Sequence, residues 1–389
     1  MKDNTTVQVF REVALRSQPH NLDIEILRAA AVGLTLFAHL EILLYWQSPA
    51  FRKITDVVFF WGGVDIFFCI SGYVITASLL REHPRIPSFS KLAIPFWIRR
   101  FWRLTPSAIF WLLVVVLMSA LPINDGHLRS VSQNLMDLAS ATLYVANVHF
   151  WSCYAGESQG CGINQVYWSL SLEEQCYLLL PVLVYTLGWK RLPVALVLII
   201  AAQALLYRPI LSLLWFVRTD ALAAGVLIAL AADRGLLKKI EPKFLGWRPL
   251  GLTFFALCIL SIGMLAAKSH VIQLHTTCIM LVAAVLVWAA SYGNSYLGIS
   301  GHAGRLVAYI GSRSYALYLT HVPVYYLAKP VSEWAGVGAH SSPVSHVVYV
   351  CAALGTALLL AEANFRFIEV PLRAHGRTIA ARWTEHRSQ

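Results

Sequence analysis

An arginine and a histidine eleven positions apart stand in the first strongly apolar stretch of this sequence, Arg28 and His39, within the segment from Leu22 to Glu41. On a helix of about 100° and about 1.5 Å per residue they fall within roughly 20° of one face and roughly 16 Å apart along the axis. That spacing puts a cation near one membrane surface and a titratable imidazole near the bilayer midplane. Imidazole titrates near neutrality and can act as a general base or carry an acyl group. An ionisable group at that depth is costly enough to be a functional candidate by default.

Further polar residues interrupt apolar sequence downstream. Asp65 and the Ser71-Gly72 pair lie in one run; the carboxylate needs a partner or a function, whereas the small pair suits close helix packing. Arg99, Arg100 and Arg103 precede another run. They fit either a lipid-headgroup anchor or a site for phosphate, which guanidinium groups bind in a fork. Ser169, Glu173 and Tyr177 follow one another at i, i+4 and so share a helix face. The adjacent Glu173 and Glu174 cannot both point the same way, so one is expected inside and the other at the external headgroups. Arg218 and Asp220 introduce a later run, and Tyr315, Tyr318 and His321 mark another. A structural ion pair is the alternative for Arg218 and Asp220, and a hydrogen-bonded core histidine for His321.

Helices must carry these groups. The chain has 389 residues, 58% hydrophobic and 13% charged, about half the charge of a soluble domain, which makes it a polytopic membrane protein. Runs near 27–46, 57–80, 101–121, 168–187, 192–207, 211–232, 249–267, 271–290, 306–328 and 344–368 approach the length of about 20 apolar residues needed to span. The segment 135–150 is apolar but short and carries Asp137, Asn147 and His149; it reads as a span or as an interfacial helix. Charge decides. The basic clusters at 81–103, at 233–248 and in the tail all fall on the cytoplasmic side only with ten spans and both termini inside.

The fold class expected is therefore all-α, a polytopic membrane bundle of about ten helices with both termini cytoplasmic. Residues 1–21 form a cytoplasmic segment without a cleavable signal, 22–373 the membrane domain, and 374–389 a cytoplasmic tail. The external loop, 122–167, holds Cys153 and Cys161, a disulfide pair if it faces an oxidising compartment and two free thiols otherwise. The net charge of +11 gathers in short segments between apolar runs, so lipid headgroups rather than nucleic acid are the expected partner. The seven cysteines show no metal-type spacing, and no metal site is expected.

Taken in order, these segments resemble the acyltransferase-3 family of integral membrane acyltransferases. Arg28 and His39 match its arginine, ten residues, histidine signature. The stretch Val64-Asp65-Ile-Phe-Phe-Cys-Ile-Ser71-Gly72 is similar to its second-helix motif, and Arg99-Arg100-Phe-Trp-Arg103-Leu-Thr-Pro106 to its basic third-helix entry. Trp168-Ser-Leu-Ser-Leu-Glu173-Glu174-Gln175 resembles its serine-leucine-x-x-glutamate motif, and Ile368-Glu369-Val-Pro371-Leu-Arg373 the close of its last helix. Glu25 stands where the family often has aspartate, and the chain is expected to lack the extracytoplasmic hydrolase-like domain of longer relatives.

The resemblance implies transfer of an acyl group, commonly acetyl from acetyl-CoA, to a carbohydrate hydroxyl, with no permanently bound cofactor. Arg28, Arg99, Arg100 and Arg103 then become the candidate holders of the donor's phosphates. His39 becomes the base or acyl carrier, with Glu173, and less directly Asp65, orienting the acceptor or holding its protonation state. Ser169, Tyr177, Arg218, Asp220 and His321 are the candidate acceptor contacts. The acceptor expected is a surface polysaccharide such as O-antigen or its lipid-linked precursor, with a secreted small molecule such as a macrolide as the alternative. A transporter would also bury arginine, histidine and carboxylates, but the sequence shows neither repeated halves nor paired broken helices.

Overall fold

The protein is described here by a computed structural model, which covers residues 21–46, 48–83, 85–86, 88–121, 126–156 and 160–385. The expected N-terminal segment, apart from Asn21, and the last four tail residues lie outside the described residues, and so do parts of the loop 122–167. Among the described residues there is no strand, and the all-α membrane bundle stands.

Helix α1 (Leu22–Ala38) opens on Asn21, whose side chain accepts from the Ile24 amide (3.2 Å) and donates to the Ala290 carbonyl (2.8 Å). The cap thus also fixes the helix against its neighbour. The expected first span is interrupted: α1 ends at His39 (φ −92°, ψ 2°) and a separate turn, Leu40–Leu43, follows. One turn earlier the Thr35 hydroxyl bonds the Ala31 carbonyl at 2.9 Å, a back-bond that bends helices.

The remaining long helices are α2 (Gly63–Glu82), α3 (Phe89–Ser119), α6 (Tyr167–Ala204), α7 (Asp220–Asp233), α8 (Arg248–Ala267), α9 (His275–Ser291), α11 (Ser314–Trp334) and α12 (Pro343–Asn364). Between them lie α4 (Val131–Thr142), α5 (Ala146–Tyr154) and α10 (Gly301–Ser312), and α13 (Val370–Glu385) ends the chain. Among the described residues, seven helical segments are long and apolar enough to cross a membrane. Each of the ten expected spans overlaps helical structure, though not always a single unbroken helix. Helix α6 contains two of them, separated at Gly188, whose φ of +69° and ψ of 163° suit glycine. The helix axis kinks there, and Leu180 and Val184 from one arm share a buried apolar cluster with Leu192 and Leu196 from the other. Helix α9 is short, with 17 residues, and α11 is long enough but rich in polar and aromatic side chains.

Three boundaries differ from expectation. The segment 135–150 is two short helices, α4 and α5, tied together by the buried Asp137, which accepts from His149 Nε2 (2.9 Å) and from the amides of Gly162 and Asn164 (both 3.1 Å). The run 306–328 splits at Arg313 because α10 is a separate amphipathic helix packed on α1. After α12 the chain makes a π turn, Phe365–Glu369, and the segment expected as a tail is helical as α13 and packs along the basic start of α3.

Helix ends sort into two groups. Trp189 Nε1 donates to the His83 carbonyl (3.3 Å) and Arg234 to the Trp189 carbonyl (2.5 Å), so the clusters at 81–103 and 233–248 share one end. At the other end Cys153 and Cys161 form a disulfide, with Cα atoms 5.8 Å apart. Helices α2 and α7 touch backbone to backbone: a Cβ on Gly72 would strike the Leu222 carbonyl, and one on Gly225 the Cys69 carbonyl. Gly72 has the packing role that its type suggested.

Candidate active site

From the basic end a cavity of about 450 Å³ runs into the bundle, within the size range of small-molecule sites. Its wall carries six arginines, Arg28, Arg100, Arg103, Arg305, Arg313 and Arg373, against three glutamates, Glu25, Glu173 and Glu369. Glu25 pairs with Arg28 at 2.7 Å, and Glu362, behind the wall, accepts from Arg313 at 2.9 Å. The excess positive charge, arranged as forks, suits a ligand with several phosphates.

Each wall element presents its groups for a local reason. On α6, Glu173 and Tyr177 face inward one turn apart, as their spacing required, and the Ser71 hydroxyl on α2 donates to the Glu173 carboxylate. On α3, Arg100 lies over the rings of Phe96 and Tyr177, 5.5 Å from each. The π turn aims Glu369: Asn364 donates to it at 2.9 Å while accepting from Ser107 (3.3 Å) and Trp111 (3.1 Å) on α3. A π turn inserts residues out of helical register and is frequent at functional sites.

The inner end of the cavity is closed by Ser169 and Tyr318, whose hydroxyls are 2.6 Å apart; Tyr318 also donates to the Val166 carbonyl at 2.9 Å. One helical turn further along α11 is His321, with its ring 5.7 Å from that of Tyr318. Its Nε2 lies 3.1 Å from Nδ1 of His39. His321 is fully buried, and His39 keeps part of its surface open. The two histidines form one polar pair just beyond the closed end of the cavity; neither lines it.

The predicted site residues therefore divide. Arg28, Arg100, Arg103, Ser169, Glu173 and Tyr177 come together around the cavity, and His39 and His321 sit behind it. Arg99 does not line the cavity: it pairs with Glu82 at the surface. Glu173 does not touch His39; it lies on the arginine side, bonded to Ser71, and His321 takes the place beside His39. Glu174 turns not to headgroups but into a narrow slot with Thr105, Tyr144 and Tyr315 that adjoins the cavity at Glu173.

Asp65, Arg218 and Asp220 also stand apart from the cavity. Arg218 forks onto Asp65 (both contacts 3.1 Å) under the rings of Trp215 (4.3 Å) and Trp168 (4.9 Å). Asp220 pairs with Arg208 instead, at 2.7 Å, and Arg208 also reaches Thr277 at 3.0 Å. Arg218 and Asp220 are not each other's partners, and all four charged groups are almost completely buried. Sequence reasoning missed Arg305, Arg313, Glu369 and Arg373 as wall residues. The spacing of Glu369 and Arg373, one turn apart beside the last motif, was the available signal.

A membrane helix bundle with a cation-walled cavity ending beneath a histidine pair has the charge to suit a polyanionic ligand beside two imidazoles. Residues 21–362 match the acyltransferase domain family, and the chain belongs to that acyltransferase-3 family. It is 28% identical over 371 residues to the peptidoglycan O-acetyltransferase OatA of Listeria monocytogenes, covering 90% of this chain and 55% of that one. It is likewise 28% identical over 366 residues to the O-acetyltransferase OatA of Staphylococcus aureus, covering 88% and 57%. The chain spans little more than half the length of these curated relatives. No solved structure matches.

Proposed function

We propose that this protein is a bacterial membrane O-acyltransferase that moves an acetyl group from cytosolic acetyl-CoA to a hydroxyl of a cell-envelope glycan. The observation that carries the reading is the convergence of six arginines from separate elements on one cavity that stops beneath His39 and His321. In this reading the donor enters from the basic, cytoplasmic end. Arg28, Arg100, Arg103, Arg305, Arg313 and Arg373 hold its phosphates, and the pantetheine arm carries the thioester inward past Ser169 and Tyr318. His39 accepts the proton of the acceptor hydroxyl as its oxygen attacks the thioester carbonyl.

The acceptor arrives from the opposite end, where the disulfide-closed loop lies. The names of the relatives favour peptidoglycan as the first acceptor to try, ahead of O-antigen or a secreted small molecule. The test is turnover of acetyl-CoA by the purified full chain in lipid nanodiscs, together with mass spectrometry of envelope glycans from cells with and without it. Wild type is expected to release CoA and to raise glycan O-acetylation, and His39→Ala to do neither while folding normally. Full activity in a folded His39→Ala variant would remove His39 from the reaction. Failure of wild type to bind or consume acetyl-CoA would remove the donor.

A further inference from the structure

We infer that His321 is a positioning residue that fixes the tautomer of His39 and so makes Nε2 of His39 the basic atom of the site. The inference rests on the acyl-transfer reading above. It begins from an atom that can only accept: the Leu317 carbonyl, one turn back on α11, lies 3.1 Å from Nδ1 of His321. That nitrogen must therefore carry a hydrogen. In a neutral ring the other nitrogen, Nε2, then holds a lone pair, and it faces Nδ1 of His39 at 3.1 Å. The hydrogen between the rings belongs to His39 Nδ1, and the lone pair of His39 is left on Nε2.

The opposite assignment would make His321 a cation. Its ring is completely buried, and among the described residues neither ring is paired with a carboxylate. An unpaired charge buried at that depth is strongly disfavoured. The other titratable groups against the pair are the phenols of Tyr318 and Tyr325, each with its ring 5.7 Å from His321. Both are committed elsewhere, Tyr318 to Ser169 and the Val166 carbonyl, Tyr325 to the Leu36 carbonyl at 3.4 Å. His321 has no open surface, whereas His39 does. Only His39 can meet a substrate.

The transfer then balances as follows. The acceptor oxygen bonds the thioester carbonyl carbon as its proton moves to His39 Nε2, and the resulting imidazolium directs its Nδ1–H at the lone pair of His321. The tetrahedral intermediate collapses, the carbon–sulfur bond breaks, and the proton passes from Nε2 to the departing thiolate. His321 does for His39 what a buried carboxylate does in a hydrolase triad, holding tautomer and orientation. As a neutral group it does so without a permanent charge inside the membrane.

The test compares His321→Leu with His321→Gln in the full chain in nanodiscs. Glutamine returns an acceptor to the place of Nε2; leucine does not. Leucine is expected to lower kcat by about 10²-fold or more, towards the roughly 10⁴-fold loss that follows when a triad histidine loses its orienting partner. The donor KM should stay within about threefold, and glutamine should recover at least about a tenth of wild-type kcat. A folded leucine variant with near-normal turnover, or a glutamine variant as inactive as leucine, overturns the inference. Should the leucine variant not fold, nitrogen-15 spectra of wild type, assigned against His39→Ala, decide directly. A protonated Nδ1 and bare Nε2 on His39 support the inference, and the reverse overturns it. An inactive wild type, or an active His39→Ala, would instead fail the acyl-transfer reading and leave that spectroscopic answer standing.

Discussion

Arg99 and Arg103 are one helical turn apart on α3, and their sequence context offers no reason to tell them apart. The structure does: Arg103 faces the cavity with Arg28 and Arg373, whereas Arg99 spends its charge on Glu82 where both side chains are about a third exposed. Exposed pairs of that kind contribute little, while a guanidinium in a walled cavity meets a phosphate with less competition from water. Arg103→Gln is accordingly expected to raise the KM for acetyl-CoA about tenfold or more, and Arg99→Gln to leave it within about twofold. Steady-state turnover of the two variants checks this; equal effects would mean that the donor lies along the outer face of α3. Ser169 gives a second residue-scale expectation. It closes the cavity with Tyr318, so Ser169→Leu should leave donor affinity within about threefold and lower kcat at least about tenfold by blocking the passage to His39. Donor titration beside turnover separates the two effects, and an unchanged kcat would place the reacting thioester elsewhere.

Helices α2 and α7 show how an element can carry charge for its own stability. Asp65 sits on α2 and Arg218 just before the start of α7, the two helices that Gly72 and Gly225 bring into backbone contact, and both are buried. Removing one member of such a pair strands the other, at a cost of about 3–5 kcal/mol, whereas removing both is far less damaging. Asp65→Ala should therefore lower the thermal unfolding midpoint sharply, and Asp65→Ala combined with Arg218→Met should recover most of the loss. Asp65→Ala with normal melting but no turnover would return Asp65 to the chemistry. The same pair marks the limit of what the sequence made legible. Apolar runs, basic clusters and the i, i+4 stripe of Ser169, Glu173 and Tyr177 are local, and each reappears as a helix or a cavity wall. Asp65 and Arg218 are 153 positions apart, and His39 and His321 are 282 apart. Such partners follow from which helices pack together, and hydropathy alone does not contain that. The interruption of α1 at His39 was hidden for a related reason, since the apolar pattern runs through it unbroken.

At the scale of the whole bundle, the proposed reaction requires that the arginine-walled mouth open to the cytosol. The basic clusters at 81–103 and 233–248 lie at one end of the bundle, with Arg100 and Arg103 in the cavity wall, and the disulfide between Cys153 and Cys161 lies at the far end. Both facts point the same way: lysine and arginine are retained on the cytoplasmic side, and disulfides persist in oxidising compartments. The orientation can be read from two exposed positions, Lys239 in the basic segment and His270 beyond α8, near the Lys268 that bonds the Asp56 carbonyl. In intact cells a membrane-impermeant maleimide should label His270→Cys and leave Lys239→Cys untouched until the membrane is opened. The reverse pattern would put the arginines outside, where no acyl-CoA is available, and the cavity would then have to bind an external polyanion. Labelling of both positions from outside would break the alternation of ends on which ten crossings depend. With the expected pattern, a donor in the cytosol and an acceptor outside are separated by the closed Ser169–Tyr318 pair. The acetyl group then crosses the membrane as it is transferred, and inside-out vesicles should take up label from acetyl-CoA added to the medium while right-side-out vesicles should not.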